Sequence, residues 1–178
     1  GKLNGKGHSI TGISWTCDMS KNNVYGLFGA ANGATIRNLI IGAEGDAITL
    51  TGTPDITPSV AGVVGYAENT TIANVTNNVS IILEGECPQA MPTSLAGIVG
   101  SGFNVTVGGK TKDNAVVNNG DVLVKSKVAN AQAGGTGLQV AGIMAYVKQG
   151  TGSQFINCTN NAHITGPNGR GGGILASI

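Results

Sequence analysis

The chain has 178 residues, enough to bury a core without a second domain. Its formal charge of +1 comes with no basic block, which sets nucleic acid aside, and no apolar run approaches the roughly 20 residues of a membrane span. Thirty glycines, 11% charged residues and 4% aromatics depart from the composition of globular α/β enzymes, and 40% hydrophobic residues at near-zero net charge exclude disorder.

In chain order, LNGKGHSITGI at 3–13 and the single tryptophan, Trp15, precede a run that then recurs. It reads VYGLFGA at 24–30, VAGVVGY at 60–66, LAGIVGS at 95–101, VAGIMAY at 140–146 and GGGILAS at 171–177. The central glycines Gly26, Gly62, Gly97, Gly142 and Gly173 are 36, 35, 45 and 31 residues apart, so the unit tolerates insertion. A second element follows the first four runs: ATIRNLII at 34–41, TTIANVTNNVSI at 70–81, AVVNNGDV at 115–122 and FINCTNNAHI at 155–164. Two submotifs that keep their order through successive units establish an internal repeat.

The apolar positions are β-branched and alternate with small or polar residues, which is strand periodicity, and no segment carries helical spacing over ten residues. Reading each recurring run as one strand places Ala61, Val63 and Gly65 on an interior face with Ala96, Ile98 and Gly100, and with Ala141, Ile143 and Ala145. Phe28, Tyr66, Ser101 and Tyr146 then look outward. Asparagine tolerates the left-handed bends a short-stranded solenoid needs, and its amide can hydrogen-bond to the same residue of the next layer. Three ladders are expected: Asn77, Asn118 and Asn160; Asn78, Asn119 and Asn161; and Asn38, Asn74 and Asn157, with Ile36, Ile72 and Ile156 pointing inward beside the third set. The fold class expected is all-β, a right-handed parallel β-helix of about five coils over 1–178 as a single domain. Loops at 51–59, 84–94, 125–139 and 165–170 should emerge along one edge, stiffened by Pro54, Pro58, Pro88, Pro92 and Pro167, and 101–114 reads as an insertion in the third coil. Because 171–178 reads as the first strand of a further coil, a longer polypeptide is expected, with self-association through coil ends as a possible partner mode.

The strand G-[LVI]-[FVM]-[GA], followed by I-x-N-[LVC] and an N-N-x-x-[IV] bend, resembles the GLUG-type repeat. The opening LNGKGHSI is similar to the run that often begins such helices. The resemblance covers nearly the whole chain and implies a pectin-lyase-like β-helix of bacterial, Bacteroidetes-like, surface or secreted proteins, hence an extracellular or cell-surface location. It is specific for fold and only suggestive for activity. Ala145 departs from it where a glycine is expected.

Sites are sparse. Aligning IILEGE at 81–86 with VLVKSK at 122–127 stacks Glu84 on Lys125 and Glu86 on Lys127, either a carboxylate–lysine binding strip or two cross-coil ion pairs on a solvated face. Trp15 is either a sugar-stacking ring or a packing residue. Glu44 and Asp46 are too few for calcium, which wants 6–8 oxygens, and neither His8 nor His163 aligns with an acid or nucleophile. Cys17, Cys87 and Cys158 lack metal-ligand spacing and read as buried small hydrophobes. The NxS/T sequons arise from the repeat itself.

No cofactor, metal or catalytic residue is expected. The leading expectation is a non-catalytic structural or adhesive module with carbohydrate or a cell-surface ligand as its partner. The rivals are a polysaccharide lyase or hydrolase, which wants aligned Asp and Arg, and an ice-binding solenoid, for which only Thr49, Thr51 and Thr53 of one coil qualify.

Overall fold

The computed structural model describes residues 1–87, 92–126, 137–149, 152–166 and 169–178. The chain makes repeated circuits through the same four sheets. The first circuit holds β1 (Lys2–Ile10), β2 (Ser14–Asp18), β3 (Val24–Tyr25) and β4 (Phe28–Asn32). The second holds β5 (Thr35–Ile41), β6 (Ala47–Thr51), β7 (Ser59–Ala61) and β8 (Val64–Glu68). The third holds β9 (Thr71–Asn77), β10 (Ser80–Leu83), β11 (Thr93–Ala96) and β12 (Val99–Phe103). In the fourth, β13 (Thr106–Gly108) and β14 (Val116–Asn118) precede β15 (Val122–Val124), β16 (Leu138–Ala141) and β17 (Met144–Val147). In the fifth, β18 (Gln154–Ile156) and β19 (Cys158–Asn160) precede β20 (Ile164–Thr165), β21 (Arg170–Gly172) and β22 (Leu175–Ser177).

Sheet A stacks β1, β5 and β9, then β13 with β14 and β18 with β19. Sheet B is β2-β6-β10-β15-β20, sheet C is β3-β7-β11-β16-β21 and sheet D is β4-β8-β12-β17-β22. All these pairings are parallel. An all-β chain stacked this way is compatible with a β-helix or solenoid.

Like side chains pile up along the stack because the register is conserved between layers. Ile48, Ile81 and Val122 form one inward column of sheet B, and Leu50, Leu83 and Val124 another. Ile36, Ile72 and Val107 form a column of sheet A, and Leu39, Val75 and Val116 the next. All of these are buried in one continuous core, each worth about 1.5–3 kcal/mol of burial. In the fifth circuit the first sheet A column is continued by Phe155, which pairs with Val107, and not by Ile156 as the sequence pattern suggested. Cys158 continues the second column through Val116. All three cysteines are free; Cys87 is buried as expected, Cys17 and Cys158 are half-buried against the core, and burial raises each thiol above its usual range.

The recurring run departs from a single strand. It breaks at its central glycine, so that Ser59–Ala61 belongs to sheet C and Val64–Glu68 to sheet D. The break resets the alternation. Val60, Leu95 and Val140 face the main core, as do Val63, Ile98 and Ile143 beyond the bend. Ala61, Ala96 and Ala141 do stack in register, but as a second, separate buried cluster with Ala145, on the opposite face of sheet C from Val60.

The two submotifs are joined physically at this bend. A Cβ added at Gly62 would overlap the Asn77 side chain, one at Gly97 would overlap Asn118, and one at Gly142 would overlap Asn160. The buried asparagine reaches across the circuit and occupies the space that glycine leaves. Asn77 Nδ2 donates to Asn118 Oδ1 at 2.8 Å, and Asn118 Nδ2 to Asn160 Oδ1 at 2.9 Å. Each amide also donates to the carbonyl two residues on, at Val79, Gly120 and Ala162. In the second circuit Ile41 takes the asparagine's place opposite Asn77 and the ladder stops.

The second ladder runs Asn161 to Asn119 to Asn78, each at 2.9 Å. The third links Asn74 to Asn38 and Asn38 to Asn4, but Asn157 donates to Gly109 O instead, because Gly109 fills that place in the fourth circuit. A further pair, Asn104 to Asn69, went unread in the sequence. The insertion itself is shorter than the pattern implied. Residues 101–103 and 106–108 belong to regular strands, and a 3₁₀ turn at Lys112–Asn114 lies within the segment that divides β13 from β14.

Counted from β1, residues 171–178 finish the fifth circuit through β21 and β22 and do not open a new one. The four expected loops all leave sheet B and enter sheet C, joining β6 to β7, β10 to β11, β15 to β16 and β20 to β21. Pro88 and Pro167 lie outside the described residues. Among the described residues, no helix is long and apolar enough to cross a membrane.

Candidate ligand groove between two sheets

The bend at the central glycine turns the outer faces of sheets C and D toward each other. Three observations fix this. Ser59 of sheet C donates its hydroxyl to Gly65 O of sheet D at 2.6 Å and shares a 2.6 Å hydrogen bond with Ser101 Oγ of β12. Arg170 Nη1 of sheet C donates to Ser177 Oγ of sheet D at 2.8 Å. At the base, the alanine cluster of sheet C meets Ala145 and Ala176 of sheet D. Small residues are required there: a Cβ at Gly100 would sit 2.6 Å from Gly65 O and from Ser59 Oγ.

Above this base the two walls diverge into a groove of about 470 Å³, within the range of small-ligand sites. Sheet C contributes the polar column Ser59, Ser94, Gln139 and Arg170, and sheet D contributes Tyr66, Ser101, Tyr146 and Ser177. The wall-to-wall bonds of Ser59 and of Arg170 bracket the space, and Thr57 and Pro92, from the loops between sheets B and C, add to its lining. Tyr66 and Tyr146 flank Ser101 in one column. At about 4.8 Å per strand their separation is roughly 9.6 Å, on the scale of two linked pyranose rings.

The polar groups are tied into fixed positions. Ser94 Oγ donates to Gln139 Oε1 at 3.0 Å, with both side chains buried. Tyr66 donates its hydroxyl to Glu68 Oε1 at 2.9 Å, and Asn32 Nδ2 donates to the other oxygen at 2.8 Å. Partial burial, and then the Glu68 carboxylate, raise the Tyr66 phenol above its ordinary range, so it stays a neutral donor. Lys148 lies on the lining with its ammonium 5.5 Å from the Phe103 ring centroid. No Asp or Glu side chain lines the groove among the described residues. It therefore presents donors, phenol faces and cations, without the paired carboxylates that glycosidic hydrolysis uses.

The residues singled out in the sequence lie elsewhere. Glu84 and Lys125 do meet, Nζ to Oε1 at 3.8 Å, with both side chains about half exposed. Glu86 accepts from Thr53 Oγ1 at 3.2 Å, and Lys127 lies outside the described residues. Trp15 pairs with Ile48 at the first-circuit end of an inward column, and its 40% exposure is that of the end of a stack. Glu84, Glu86, Lys125 and Trp15 do not line the groove. The outward placement of Tyr66, Ser101 and Tyr146 was legible, but the opposing wall was not. Its signal was a polar residue three places before the central glycine in four units: Ser59, Ser94, Gln139 and Arg170. Among the described residues, no group of three His, Cys, Asp or Glu side chains could hold a metal ion.

No protein family matches the chain, nor does any curated protein sequence or solved structure.

Proposed function

We propose that this chain is a non-catalytic binding module of an extracellular or cell-surface protein, a right-handed β-helix of the GLUG-repeat kind that holds carbohydrate in the groove between sheets C and D. The handedness follows from the strong preference of parallel crossover connections for the right hand. The observation that carries the functional reading is the column Tyr66, Ser101 and Tyr146 facing Ser94 and Gln139. Two phenol rings at a sugar-scale spacing give apolar faces for pyranose rings, while hydroxyl and amide groups address the sugar hydroxyls. The groove is preferred to the Glu84–Lys125 strip because those two charges are partnered with each other on an open face.

The test is a glycan-array screen of the chain, repeated with Tyr146→Ala. Tyr146 is half-buried, and its ring lies on the groove side of sheet D. Binding to a defined subset of glycans, weakened about tenfold or more by the variant at an unchanged thermal midpoint, supports the reading; this is the usual scale for losing an aromatic anchor. An array with no bound glycan, or binding indifferent to Tyr146, overturns it. Release of reducing or unsaturated ends from the bound polysaccharide would replace it with the lyase or hydrolase reading.

A further inference from the structure

We infer that the groove selects carbohydrate bearing an anionic substituent, a carboxylate or a sulfate, seated toward its fourth- and fifth-circuit end between Lys148 and Arg170. This inference rests on the glycan reading and adds the ligand's charge and its orientation.

The lining is polarised along the stack. Gly102 pairs with Val147, so Phe103 and Lys148 fall in one layer-to-layer column, and Phe103 pairs with Glu68 on its other side. The acid is therefore two strands from the ammonium, and Tyr66 and Asn32 already bind its two oxygens. At the other end Lys148 extends from the end of β17, two residues beyond Tyr146 and on the same face, while Arg170 stands on the opposite wall at the start of β21. The bond to Ser177 engages Nη1 of Arg170 and holds the guanidinium in place. A guanidinium carries five N–H donors in a planar fork that matches carboxylate or sulfate oxygens.

Two cationic side chains stand on facing walls at that end, with no Asp or Glu side chain among the described lining residues. Concave walls of low dielectric concentrate the field of these charges on whatever occupies the space. A neutral glycan could use the tyrosines and hydroxyls alone. An anionic one would also be drawn to one end, so its chain would lie in one direction along the stack.

The experiment is calorimetric titration of the full chain with three oligosaccharides of equal length: a neutral glucan, an oligouronate and a sulfated glucan. Each is run at low ionic strength and at about 1 M, where the screening length falls to about 3 Å. The anionic probes are expected to bind about tenfold tighter than the neutral one at low salt and to lose that margin at high salt. Lys148→Gln and Arg170→Gln should each weaken anionic binding by about fivefold, the scale of one exposed charge contact, and weaken neutral-glucan binding by less, so that the anionic-to-neutral ratio falls in each. Preference for uronate over sulfate, or the reverse, would identify the source of the charge. Equal, salt-independent binding of all three probes overturns the inference and leaves the glycan reading standing. Binding of none of the three, with the chain folded by circular dichroism, removes both. Lys148 is exposed, so its variant keeps the test readable even if Arg170→Gln perturbs β21.

Discussion

Two of the asparagine ladders that run along this molecule are built for different reasons. Asn38 and Asn74 lie at the surface with φ of 57° and 51°, in the left-handed region. Asn77 and Asn118 are fully buried, with Asn160 half-buried above them, and none of the three has a positive φ. At the surface the backbone selects the residue and the amide ladder is incidental. Inside, the side chain selects the residue, because each amide satisfies two partners where water cannot reach. The same letter repeated at the same interval thus records two separate physical requirements.

The sharpest way to break that comparison is Asn118→Ala. The substitution takes one of two acceptors from the buried Asn77 Nδ2, which keeps Val79 O, and removes the Asn118 amide from the Gly120 carbonyl and from the half-buried Asn160 Oδ1. Leaving buried polar groups unpaired costs about 1–3 kcal/mol each, so a loss of roughly 3 kcal/mol or more is expected in denaturant unfolding. A loss below about 1 kcal/mol would show that the ladder is as incidental inside as it is outside.

Gly97→Ala should cost about 2 kcal/mol, because the new methyl overlaps the Asn118 side chain. The decisive measurement is the double variant. If glycine exists to admit the asparagine, Gly97→Ala with Asn118→Ala should be less destabilising than the sum of the two by about 1 kcal/mol, a coupling typical of residues in contact. Strict additivity would mean that glycine serves the bend alone.

At the surface the order of tolerance should reverse. Asn74→Gly keeps access to the left-handed region and is expected to change stability by less than about 0.5 kcal/mol, while Asn74→Ala keeps the Cβ there but loses the short polar side chain that makes the conformation tolerable, and should cost about 1 kcal/mol. Equal costs for the two substitutions would place the stabilisation in the amide and not in the backbone.

How far the sequence disclosed this structure depends on the same distinction. Stacking of Ala61 on Ala96 and Ala141, the Asn77 ladder and the meeting of Glu84 with Lys125 were all legible, because each follows from aligning one unit on the next. What alignment could not give was the path within a unit. Alternation assumes an unbroken strand, and the asparagine that fills the space at Gly62 lies 15 residues later in the chain, so VAGVVGY showed no sign of turning a corner. Losing that corner hid the concave angle and left Ser94 and Gln139 looking like strand residues of no consequence. Phe155 does not show itself as the continuation of the Ile36 column, because an aromatic stands where other circuits carry an aliphatic residue.

The exposed ion pair sets the lower bound of the scale. Glu84 and Lys125 form a salt bridge, yet their atoms are 3.8 Å apart and about half of each side chain is open to water. Solvent screens the attraction, and ordering two long side chains offsets much of what remains, so Glu84→Gln should shift stability by no more than about 0.5 kcal/mol, with the difference vanishing in high salt. A neutral asparagine buried between layers should therefore outweigh a full pair of opposite charges on the surface by several-fold. If Glu84→Gln instead cost as much as Asn118→Ala, and did so independently of salt, the strip between sheets B and C would hold the circuits together and the interior ladder would lose its special standing.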